Sequence, residues 1–97
     1  MSGSGERRTV RVRIEGGVQG VGYRYWTERT AAELGVSGWV RNLRDGSVEA
    51  LFSGERAKVD AMIERCRQGP RSSIVTSLAI EEAQAAPPSG FIVLPTR

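Results

Sequence analysis

Histidine is absent from the 97 residues and cysteine occurs once. With no histidine, the chain cannot use an imidazole base, a Ser-His-Asp triad or histidine metal ligands. A lone Cys66 excludes an internal disulfide and a cysteine-rich zinc site. No apolar run is long enough to span a bilayer, and no signal-peptide core is visible, so a reducing cytoplasm is the default location. Internal repeats and low-complexity tracts are also missing. Charge is nearly balanced, with 14 basic and 11 acidic residues for a net +3. That mild excess suits a small anionic substrate but does not by itself indicate nucleic acid.

The length fits one domain that can fold without covalent staples. Residues 1–8 read as a flexible lead, and residues 9–97 as the domain. Between Thr9 and Glu15 the sequence alternates, with Val10, Val12 and Ile14 on one face and Arg11 and Arg13 on the other, which predicts a half-buried strand. From Tyr23 the period becomes helical through Thr27, Thr30, Ala31 and Leu34, and Gly35 is a natural stop. A second strand spans 36–43, Asp45-Gly46 marks a hairpin, and a third strand spans 47–53. A helix over 55–68 carries Val59, Met62, Ile63 and Cys66 as its apolar stripe. A strand follows at 74–82, with Ile74, Leu78 and Ile80 expected together, and a short last strand at 91–94. The order is βαββαβ plus one strand. It predicts an α+β ferredoxin-like sandwich with two helices on one face of an antiparallel sheet.

The chemistry concentrates at Gly16 to Arg24, reading GGVQGVGYR. Glycine tolerates positive φ, so successive N–H groups can turn inward as an anion-binding nest. This stretch leads into a helix N-terminus, which adds positive potential. Arg24, in the first helical turn, can grip phosphate oxygens bidentately. Val18 and Val21 are placed to pin the loop. Neither the dinucleotide fingerprint nor the P-loop is present, because Tyr25 stands where the former needs glycine and the Gly-Lys-Ser/Thr of the latter is missing. A second cluster is Gly38-Trp39-Val40-Arg41-Asn42 followed by Asp45-Gly46. On local grounds Asn42 fits a turn-capping residue as well as a functional one, and Asp45 fits the turn. Cys66 fits a small core residue. Trp26 and Trp39 could line a site but fit packing better. Arg11, Arg13, Arg41 and Arg44 fit a solvated basic face.

Taken together, GGVQGVGYR and GWVRNLRDGSVEALFSG resemble the acylphosphatase family from Thr9 to Leu94. The resemblance implies metal-free hydrolysis of the carboxyl–phosphate bond of acyl phosphates, with no cofactor. It implies that Arg24 binds the phosphate, that Asn42 positions the attacking water, and that the cradle comprises Gly17, Val18, Gln19, Gly20, Val21, Gly22 and Tyr23. A carboxylate leaves without a proton, so a chain lacking histidine can still perform this chemistry. Inorganic phosphate, the product, should inhibit by occupying the same loop. Membrane and nucleic-acid partners are not expected, and a monomer is the default.

Two departures from the family pattern stand out. Gly17 replaces a frequent basic residue, which implies a softer loop and weaker substrate binding. Tyr23 replaces the commoner phenylalanine, so its hydroxyl needs a partner. RNA-recognition domains share the element order but carry aromatics on their middle strands, which this chain lacks apart from Phe52, assigned to the core. A catalytically silent anion-binding domain would need Arg24 but not Asn42.

Overall fold

The computed structural model describes residues 6–97. Its elements are β1 (Arg7–Gly17), α1 (Tyr23–Leu34), β2 (Ser37–Asn42), β3 (Val48–Glu55), α2 (Arg56–Gln68), β4 (Ile74–Glu82) and β5 (Phe91–Val93). Strand β1 begins at Arg7, inside the stretch expected to be a flexible lead. Arg8 is held there by Asp60 and Glu82, both at 2.6 Å, which ties the start of the strand to α2 and β4. The remainder of that expected lead, residues 1–5, lies outside the described residues.

The sheet order is β4-β1-β3-β2-β5. The first three pairings are antiparallel, but β5 runs parallel to β2, so the sheet is mixed rather than antiparallel as expected. The cause is chain direction. Strand β5 reverses the direction of β4, and the three antiparallel pairings place β4 opposite to β2. Pairing continues past β5, with Leu94 N–H donating to Val40 O and Arg97 N–H to Asn42 O. Pro95, which has no N–H to give, falls between these two donors.

The alternation of β1 buries Val10, Val12 and Ile14 completely, against Val40, Ala50 and Phe52 of the sheet and Val59, Met62 and Cys66 of α2. Each such aliphatic side chain contributes about 1.5–3 kcal/mol on burial. In β2, Gly38 has φ 142°, and a Cβ there would stand 1.7 Å from the Leu51 carbonyl oxygen. Only glycine allows β2 and β3 to approach this closely.

Two expectations about faces are corrected. Ile74 does not join Leu78 and Ile80 on one face. The register moves one residue along β1, from Glu15 to Gly16, while it moves two along β4, from Ser77 to Val75. Thr76 is thus the extra residue of a bulge, which reverses the parity of the strand. Val75 turns to the core and Ile74 is left 68% exposed. The basic face is also not a free one. Arg41 pairs with Glu49 at 2.7 Å and lies 4.6 Å from the centre of the Trp39 ring, while Arg13 pairs with Asp45 and Glu15. Three of the four arginines expected on this face, Arg11, Arg13 and Arg41, thus lie beside carboxylates.

Candidate active site

Strands β1 and β2 both run antiparallel to β3, so their C-terminal ends lie at the same end of the sheet with the start of β3 between them. The chain leaving β1 at Gly17 must cross the β2–β3 hairpin to reach α1, which packs against β2 and β5. At that crossing, the Gln19 side-chain amide donates to the carbonyls of Leu43 at 2.7 Å and Ser47 at 2.8 Å. The hairpin is itself set by Asp45, whose Oδ1 accepts from both the N–H and the hydroxyl of Ser47. Those bonds hold the Asp45 carboxyl below its ordinary pKa, with Arg13 adding to the effect.

Between the crossing loop and the end of β2 is a cavity of about 110 Å³, lined by Val18, Gln19, Gly20, Gly22, Tyr23, Arg24, Tyr25 and Asn42. At about 30 Å³ for one water, this is room for a phosphoryl group and a water rather than an extended ligand. Gly20 and Gly22 hold φ of 75° and 78°, the left-handed turn that faces N–H groups inward. Gly22 is the N-cap of α1, with no side chain capping the helix. Among the described residues, no protein acceptor meets the N–H groups from Gln19 to Arg24. Arg24 is half-buried, and no described carboxylate pairs with it, unlike Arg8, Arg13 and Arg41.

The structure divides the expected cradle. Val18 lines the cavity, but its N–H is committed to Gly16 O at 3.0 Å and its side chain is fully buried. It anchors the loop rather than donating to a ligand. Gly17 ends β1 opposite Ile74, and Val21 packs against the core; neither lines the cavity. The Tyr23 hydroxyl finds its partner in α2, donating to Cys66 O at 2.6 Å. Burial, reinforced by Cys66, pushes the Tyr23 phenol well above its usual pKa. Burial likewise raises the Cys66 thiol to about 12, so the thiolate is disfavoured and Cys66 serves as core. Asn42 is fixed by its backbone, which pairs with Val48 and accepts from Arg97 N–H. Trp26 packs against Tyr23 with ring centres 5.4 Å apart.

Two features lay outside the sequence reading: the bracing by the Gln19 side chain and the presence of Tyr25 in the lining. As the lone amide in a loop of glycines and valines, Gln19 carried the only available signal. Nothing local marked Tyr25.

The family model for acylphosphatases matches residues 10–93. The chain belongs to the acylphosphatase family. An acylphosphatase of Mesorhizobium japonicum is 55% identical over 78 residues, covering 80% of this chain and 83% of that protein. One from Rhodospirillum rubrum is 51% identical over 89 residues, covering 92% and 98%. The structure of an acylphosphatase from Coxiella burnetii superposes with a TM-score of 0.87 at 34% identity, covering 91% of this chain and 93% of that one. This acylphosphatase therefore hydrolyses the carboxyl–phosphate bond of acyl phosphates, releasing a carboxylate and inorganic phosphate.

Proposed function

We propose that the N–H groups of Gln19, Gly20, Gly22 and Tyr23, together with the Arg24 guanidinium, hold the phosphoryl group, and that Asn42 holds the attacking water. One observation carries this reading: Arg24 and Asn42, from separate elements, line the same small cavity as the glycine turn. The water oxygen attacks phosphorus, the phosphorus–acyl oxygen bond breaks, and the carboxylate leaves with the bonding pair. The proton from the water passes to a phosphate oxygen, so no histidine or carboxylic acid is required. Inward N–H dipoles and the guanidinium stabilise the charge that spreads over the equatorial oxygens. On this reading no metal takes part and inorganic phosphate is a competitive inhibitor. The protein works as a cytoplasmic monomer, on a ferredoxin-like βαββαβ framework to which β5 is an addition.

The test is hydrolysis of benzoyl phosphate with and without a chelator, alongside Arg24→Ala and Asn42→Ala. Wild-type activity should survive the chelator. Arg24→Ala should raise KM for substrate and Ki for phosphate, whereas Asn42→Ala should mainly lower kcat. Each loss should be about 10²-fold or more. Full kcat in Asn42→Ala would remove Asn42 from the reaction.

A further inference from the structure

A second cavity, of about 720 Å³, is far larger than the one that holds the glycine turn. It is a trough between α1 and the start of β5, walled by Tyr25, Glu28, Arg29 and Ala32 on the helix, with Val36 and Phe91 also in the lining. Residues 25, 28, 29 and 32 fall at helical spacing on a single stripe. From Tyr25 to Ala32 the stripe covers about 10 Å of helix. Tyr25 belongs to both cavities, closing one end of the trough and one side of the small site. Tyr25 is 60% exposed, and the Arg24 guanidinium carbon sits 5.8 Å from the centre of its ring.

An acyl phosphate bound in the small site must send its acyl group out of it. The hairpin side is closed by Gln19, bonded to Leu43 and Ser47, and Asn42 occupies the end of β2. In-line attack requires the leaving group to point away from the water. With the water at Asn42, the direction that leads on into a second cavity is across Tyr25, which lines both. Most of the trough wall is carbon, from the Tyr25 ring, Ala32, Val36 and Phe91. Such a wall rewards an apolar body and gives nothing to a methyl group too short to reach it.

We infer that Tyr25 is a specificity-determining residue: its ring receives the acyl group of the substrate, and the trough beyond it favours aromatic or extended apolar acyl phosphates over acetyl phosphate. This rests on the assignment of the small site to the phosphoryl group. Tyr25 takes no part in the bond-breaking step, so it sets which substrate is preferred and not whether hydrolysis occurs.

The experiment compares acetyl, benzoyl and octanoyl phosphate as substrates of wild type, Tyr25→Ala, Tyr25→Phe and Ala32→Phe. Wild type should show higher kcat/KM for the benzoyl and octanoyl compounds. Tyr25→Ala should cut the benzoyl-to-acetyl ratio of kcat/KM by about two- to tenfold, the range of an aromatic contact, with the differential loss in KM. Tyr25→Phe should retain the preference. Ala32→Phe narrows the far end of the trough, so it should penalise octanoyl phosphate alone. Equal effects of Tyr25→Ala on all three substrates, or none, would overturn the inference. A wild type inactive on all three would instead overturn the assignment of the small site.

Discussion

Replacing Gln19 by alanine removes the brace between the cradle loop and the β2–β3 hairpin. Two hydrogen bonds are lost, to Leu43 O at 2.7 Å and Ser47 O at 2.8 Å. Neither acceptor is orphaned, because Leu43 O keeps the Gly46 N–H and Ser47 O keeps the Leu43 N–H. The loss is therefore two neutral hydrogen bonds at about 0.5–1.5 kcal/mol each, or about 1–3 kcal/mol. At about 4–8 °C per kcal/mol for a domain of this size, the melting temperature should fall clearly. The larger effect should be on catalysis. Gln19 fixes the loop proposed to hold the phosphoryl group relative to the strand end that carries Asn42, and a displacement of 1 Å in such a site lowers the rate about 10²-fold. Gln19→Ala should lower kcat/KM on benzoyl phosphate by about 10- to 100-fold. Gln19→Glu should be worse, since its carboxylate faces two carbonyl oxygens and the bound phosphate. Thermal melts with and without phosphate, paired with steady-state kinetics, separate stability from positioning. If Gln19→Ala melts early yet keeps kcat/KM within twofold of wild type, the brace does not position the site.

Three further substitutions, at Tyr23, Gly38 and Gly17, probe other parts of the fold. Tyr23 is held as a neutral phenol, so its folded pKa lies above the unfolded value of about 10. The stability it contributes is complete below that pH and is lost as pH rises, by about 1.4 kcal/mol per pH unit. Cys66, raised to about 12, adds a loss of the same sign above about 8.5. Tyr23→Phe should be less stable at pH 7 by about 1–2 kcal/mol in urea titrations, because Cys66 O loses its donor, yet show a shallower alkaline decline. Gly38→Ala should cost about 3 kcal/mol or more, visible as a large drop in the urea midpoint, because the new Cβ meets the Leu51 carbonyl. Gly17→Arg should fold normally, since a Cβ there makes only ordinary contacts, the nearest at 3.8 Å to the Ile74 Cβ. Its added charge beside the cradle should lower KM for substrate and Ki for phosphate by up to about fivefold.

Local pattern was enough for most elements. The alternation of Val10, Val12 and Ile14 marked β1, Gly35 stopped α1 where expected, and Asp45-Gly46 turned the hairpin with its own carboxylate as the turn acceptor. Arg24 and Asn42 stood out as candidates by their places beside the glycines and before the turn, and both line the same small cavity. What stayed hidden depends on partners distant in sequence. The bulge at Thr76 inverts Ile74 and Val75, and no single-strand pattern reveals it because it exists only in the pairing with β1. The direction of β5 depends on the crossing from one sheet edge to the other. Arginines that read as a basic face proved to be matched by Glu15, Asp45 and Glu49, two of which lie on other strands or turns from the arginines they meet. The Tyr23 hydroxyl is satisfied by a carbonyl 43 residues away.

The bulge in β4 has a bearing on how the protein behaves in a crowded solution. Among the described residues, strand β4 forms one margin of the sheet and no strand neighbours its outer row of N–H and C=O groups. A straight, apolar margin of this kind templates intermolecular cross-strand growth. Here the segment IVTSLAIEE carries the apolar residues such growth needs, and Ile74 and Ile80 are exposed on it. The extra Thr76 twists the strand and breaks its hydrogen-bonding period, while Glu81 and Glu82 put like charges at its end. The features of this margin that oppose such growth are therefore one inserted threonine and two terminal glutamates.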